Sequence, residues 1–222
     1  MSANPGEDPL QTLRTLTERA AVYRRVLAPL MIYAGTVGVI SAVLAERQHL
    51  RASNTFALYW LCVAAVAGVG VLVLLRLQAL RERQPIGSAP ARCVLRAVAP
   101  LLVIGLALGL IEVIWPAEGG NPLFQSQPRP AITRLIALWL MCYGAALHAG
   151  GFFMTRGLRL LGWCTIILGV ALLTAMNVKG VTGRLPAPVD HYAHWIMGLV
   201  FGAGHLMCGL YLYFTEDNPA AP

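Results

Sequence analysis

Three of the five histidines, His191, His194 and His205, fall in the single segment HYAHWIMGLVFGAGH, and His148 has a similar setting in YGAALHAGG. Imidazoles in runs this apolar have three physical uses. They can fix helix packing by hydrogen bonding to backbone, to Ser or Thr, or to one another. They can line a polar cavity for a small ligand, an ion or a proton path, with Glu112 and Asn177 as further lining candidates. Two of them facing one iron can hold a b-type haem, and His148 and His205 are the pair that would do so. A second haem would need a histidine near Trp139, where there is none.

Other chemistries lack their residues. The chain has no HExxH, GxSxG or Walker sequence, which argues against intramembrane proteolysis and nucleotide hydrolysis. Its sole lysine, Lys179, falls at the end of an apolar run, a poor place for a buried Schiff base. No catalytic residue is assigned, and the sequence favours a non-enzyme. The five cysteines are scattered singly, with no CxxC pair, and read as reduced, small core residues.

The elements that must position the histidines follow from composition. With 57% hydrophobic and 12% charged residues, and a mean hydropathy of +0.64, the chain belongs in a bilayer. About 20 apolar residues cross the hydrocarbon layer as a helix. Six runs qualify, at 28–46, 55–75, 97–115, 135–154, 160–178 and 192–214. The expected fold is therefore an all-α six-helix transmembrane domain over 28–214. An amphipathic segment, 1–27, precedes it with Leu10, Leu13, Leu16 and Ala20 on one face, and a short tail, 215–222, follows.

Arg and Lys near span ends stay preferentially in the cytoplasm. With the N-terminus inside, eleven of the 17 cationic residues are cytoplasmic: Arg14, Arg19, Arg24, Arg25, Arg76, Arg81, Arg83, Arg92, Arg96, Arg156 and Arg159. An even number of spans brings the C-terminus back to the same side. The net charge of +7 is thereby assigned to topology and anionic headgroups, and calls for no nucleic acid. Trp115, Trp139, Trp163, Trp195, Tyr211 and Tyr213 near span ends fit interfacial belts.

On this frame, relative to His194, positions His191, Gly198, Gly202, His205 and Gly209 fall within roughly 80° of helical arc. GLVFG at 198–202 is a GxxxG pattern, which lets helix backbones approach closely in lipid. The fourth span clusters Gly144, His148 and Gly151 on one side. His148 and His205 lie at the same distance past the starts of their spans, so they are expected at one depth, with the fourth and sixth helices meeting along these faces. Glu112 is expected at the level of His191 and His194.

The pieces LWLMCYGAALHAGGFFMTRGLRLLGW and HWIMGLVFGAGHLMCGLYLYFTE resemble an uncharacterised family of small six-span proteins of bacterial inner membranes. The resemblance covers the second half of the chain and implies location and span count, with no activity attached. The expected function is a non-enzymatic integral membrane protein, structural, sensory or accessory to a partner complex. The alternatives are a small-molecule or proton-coupled transporter using the His/Glu groups, and a b-type haem redox protein. The expected partners are the lipid bilayer and a membrane protein or a second copy of the chain.

Overall fold

A computed structural model describes the backbone of residues 9–50, 52–82, 89–115, 131–154, 156–177 and 189–216, with side chains over most of each stretch. All regular structure among the described residues is helical. The reason is the solvent: in hydrocarbon every backbone N–H and C=O must be paired within the segment. Helix α1 is Pro9–Arg47, α2 Ser53–Glu82, α3 Ala89–Ile114, α4 Ala131–Gly151 and α5 Arg156–Asn177. A 3-10 turn, Val189–Tyr192, leads into α6, Ala193–Met197; a π-helical turn, Gly198–Ala203, joins α6 to α7, Gly204–Glu216. Helices α6 and α7 with the π turn make one span.

Among the described residues, six helical stretches are long and apolar enough to cross a membrane: Leu27–Arg47, Ser53–Leu80, Arg92–Ile114, Ile132–Gly151, Arg156–Met176 and Ala193–Phe214. The third, fourth and fifth begin three to five residues earlier than hydropathy places them. Each earlier start takes in an arginine, Arg92, Arg134 or Arg156. A run-finding rule treats such a residue as an end, whereas in a helix its long stem can lie along the apolar surface while the charge reaches the interface. The chain is thus a multi-pass helical membrane protein. The amphipathic face of residues 9–26 lies outside the described side chains, although the backbone there is continuous with the first span, passing through Pro29.

The connection between α1 and α2 is tight. His49 takes the left-handed conformation, φ 51°, and its N–H donates to the Glu46 carbonyl at 3.2 Å, ending α1. The turn then projects the Leu50 carbonyl back over the bundle.

The glycine faces do not pair α4 with the sixth span, contrary to expectation. Gly198, Gly202 and Gly209 pack on α1: a Cβ on Gly202 would lie 2.7 Å from the Val39 nitrogen, and one on Gly209 2.8 Å from the Ile32 nitrogen. Helix α1 answers with its own glycine, since a Cβ on Gly38 would lie 2.9 Å from the Gly202 Cα. Gly144 and Gly151 pack on α5, where a Cβ on Gly144 would meet the Gly162 carbonyl oxygen at 2.7 Å. Two close-packed pairs result, α1 with the sixth span and α4 with α5. The reason is complementarity of small residues: Gly35 and Gly38 on α1, and Gly162 and Gly169 on α5, supply the flat surfaces that permit backbone approach.

Two further expectations are corrected. Trp139 is buried, and its indole N–H donates to the Gly105 carbonyl at 2.8 Å, so it ties α4 to α3 rather than joining an interfacial belt. Of the cysteines, only Cys208 is buried; Cys62, Cys93 and Cys164 are exposed on the bundle exterior and Cys142 is intermediate.

Candidate functional site

Among the described residues, the histidines mark three polar centres at different depths. The first is at the end where α1 finishes and α2, α4 and the sixth span begin, here the Leu50 end. Four polar side chains are buried there: Ser53 and Thr133 at 0% exposure, Glu112 at 1% and His194 at 4%. They come from the starts of α2, α4 and α6 and the end of α3, over an apolar cluster containing Phe56, Trp60, Ile136, Trp139 and Met197. Both nitrogens of His194 are used. The Trp60 indole N–H donates to Nδ1 at 3.2 Å, so the ring proton sits on Nε2 and is donated to the Leu50 carbonyl at 2.9 Å. Phe56 packs on the same imidazole, centroids 5.0 Å apart. His194 is a neutral cross-link joining the sixth span to α2 and to the α1–α2 turn. Glu112 and Thr133 also have interaction partners. The Ser53 hydroxyl is buried with no hydrogen-bond partner among the described residues. His191, three residues before His194, is exposed, with its ring edge on Tyr192 at 5.3 Å, and lies outside this core.

The second centre is in mid-span. His205 is 3% exposed, and its Nε2 lies 2.5 Å from the Tyr143 hydroxyl of α4. Just above it the π turn alters the backbone ladder: the Gly204 N–H bonds to the Leu199 carbonyl, not to that of Val200. The Val200 carbonyl thereby loses its usual helical donor. His205 Nδ1 is buried with no hydrogen-bond partner among the described residues. With the proton on Nδ1, Nε2 accepts from the Tyr143 O–H; with the proton on Nε2, it donates to the Tyr143 oxygen. A buried hydroxyl–imidazole pair beside a released carbonyl can hold a proton or a small polar ligand.

His148 is not part of that pair. It is in the last turn of α4, where its ring packs against Phe152 at 4.9 Å and Trp163 of α5 at 5.2 Å between centroids. The expected depth match fails because the fourth span begins at Ile132 instead of Leu135. Counting from Ile132 and Ala193, His205 is level with Gly144, and Tyr143 is the adjacent side chain able to reach it. Residue type misled the sequence reading: a second histidine drew attention, whereas the partner was a tyrosine in the same quoted motif. Trp60 and the Leu50 carbonyl were missed for a related reason, since nothing in the sequence signals which backbone oxygen a turn will aim inward. The Asn177 side chain lies outside the described residues.

Compared with known proteins, the chain matches no family model, no curated protein and no solved structure.

A haem between His148 and His205 does not fit this arrangement. His205 Nε2 is taken by Tyr143, while the His148 ring is held against Phe152 and against Trp163 of α5. Bis-imidazole ligation needs one nitrogen of each ring aimed at a common point. Protein purified from haem-replete cells is accordingly expected to show no stoichiometric Soret band, oxidised or dithionite-reduced. A reduced α band lost in both His148→Ala and His205→Ala would contradict this geometry.

Proposed function

We propose that this chain is a non-enzymatic integral protein of a bacterial inner membrane, with both termini cytoplasmic, serving as a structural or accessory component for a membrane partner. The observation that carries this reading is His194. An imidazole with both nitrogens bonded within the bundle, to Trp60 and to the Leu50 carbonyl, has no lone pair or proton left for chemistry. Other polar side chains are used in the same way. The Tyr59 hydroxyl donates to the Ser41 carbonyl at 2.7 Å, joining α2 to α1, and Trp139 joins α4 to α3. The asymmetric placement of arginine supports the N-in orientation, which puts the Leu50 end outside. A membrane partner is consistent with α2 and α3, whose Val66, Val69, Leu72, Val103 and Ile104 are exposed around the bundle.

One observation favours a second reading. Tyr143, His205 and the π turn form an incompletely satisfied polar centre, and π turns inside helices recur at functional sites. In that reading the chain is a proton-coupled or small-molecule transporter with His205 as its proton-binding group.

The two readings part in proteoliposomes. With a pH-sensitive dye inside and an imposed pH gradient, the accessory reading expects proton flux no greater than in protein-free vesicles. A flux above that level, abolished by His205→Ala but retained in His191→Ala, would replace it with the transporter reading.

A further inference from the structure

The third polar centre is at the opposite end of the bundle, where α4 turns into α5. Arg159, in the first turns of α5, lies across the end of α4: a Cβ on Gly151 would meet the Arg159 nitrogen at 2.8 Å. Its guanidinium carbon stands 5.4 Å from the centre of the Phe152 ring, and His148 packs edge to face on that same ring. One phenyl group thus contacts both a guanidinium and an imidazole. Arg159 Nε and His148 Nδ1 are both buried, and neither has a hydrogen-bond partner among the described residues.

Among the described residues no carboxylate pairs with these groups. The first turn of α5 carries no acidic residue, and Arg156 at its start adds a second, exposed guanidinium. The unpaired backbone N–H groups at the start of a helix favour negative charge as well. A partly buried guanidinium in an apolar setting is costly unless an anion pairs with it. The location decides which anion. Gly151 ends one span and Arg156 begins the next, so the site lies at the level of lipid headgroup phosphates whichever way the protein is oriented.

We propose that the α4–α5 turn is a binding site for the phosphate of an anionic lipid. Arg159, over the Phe152 ring, binds it; His148 Nδ1, unpartnered on the same ring, is a second donor, and Arg156 supplies charge at the rim. Arginine suits this role because its planar fork matches phosphate oxygens while its face stacks on an aromatic ring.

The test is native mass spectrometry of the full chain released from neutral detergent, titrated with phosphatidylglycerol, phosphatidylcholine or inorganic phosphate. Phosphatidylglycerol should bind in preference to phosphatidylcholine, and Arg159→Gln should weaken it about tenfold, the effect of one charge-assisted contact. Arg76→Gln, an exposed arginine near the same membrane face on α2, should leave the preference unchanged. Arg159→Lys keeps the charge and serves if the glutamine variant fails to fold; it should weaken binding by a smaller factor. Equal binding of the two lipids, or equal losses in Arg159→Gln and Arg76→Gln, would overturn the proposal. Inorganic phosphate at millimolar levels displacing phosphatidylglycerol from the wild type, and binding in the same Arg159-dependent way without lipid, would replace the lipid with a soluble phosphate.

Discussion

Gly202→Leu is expected to be the most damaging single substitution in the bundle, lowering stability by about 3 kcal/mol or more. The Val39 nitrogen stands 2.7 Å and the Gly38 carbonyl carbon 3.1 Å from where the new Cβ would go. Neither is the end of a flexible side chain, so relief requires α1 and the sixth span to move apart. That separation loses the close contact along Gly35, Gly38 and Gly209 together, and in lipid such contact is the main force holding helices against each other. For a chain of this size the loss corresponds to roughly 6–12 °C in Tm, read from fluorescence-detected gel filtration after heating in mild detergent. Gly68→Leu is the matched control, because a Cβ there meets nothing within 4 Å. If the two variants melt together, the close approach of α1 and the sixth span is wrong.

His194→Ala should be the next largest effect, about 2–3 kcal/mol. The substitution removes two hydrogen bonds, each worth about 1 kcal/mol within a membrane protein, and leaves the Trp60 indole N–H and the Leu50 carbonyl buried without partners. It also opens a void against Phe56, Tyr59 and Trp60, which all pack on the imidazole. Trp60→Phe, which deletes one donor and leaves His194 in place, should cost about half as much. His191→Ala is expected to be silent, since that ring is exposed. The comparison separates two histidines three residues apart, one in the 3-10 turn and one in α6, and it turns on burial. A His194→Ala protein with unchanged Tm would mean that the imidazole does not cross-link α2 to the sixth span.

These two sites show different degrees of legibility in the sequence. Gly198, Gly202 and Gly209 could be recognised as a packing face from their spacing, because the helical period is set by backbone geometry and owes nothing to neighbours. Which helix they pack against could not. Both α1 and α4 carry glycines, and the choice depends on whether opposing surfaces interlock over several turns, a property of pairs of helices. The same holds for depth. A shift of three residues in the start of the fourth span and of one in the sixth moves the level of His205 from His148 to Gly144, where the neighbouring Tyr143 can reach it.

What the sequence determined by itself is the class of structure and its solvent. Long apolar runs must become helices in a bilayer because no water is there to satisfy the backbone, and this is decided run by run. The tertiary structure alone decided what the polar residues do. The four histidines on which the functional reading rested have the same chemistry, yet one ends up bonded through both nitrogens to Trp60 and Leu50 and one beside a tyrosine and a π turn. Of the other two, one packs edge to face on a phenyl ring that an arginine also contacts, and one lies exposed. An imidazole takes its role from whichever donor, acceptor or charge the fold brings within about 3 Å of its nitrogens, and that distance is set between helices far apart in the chain.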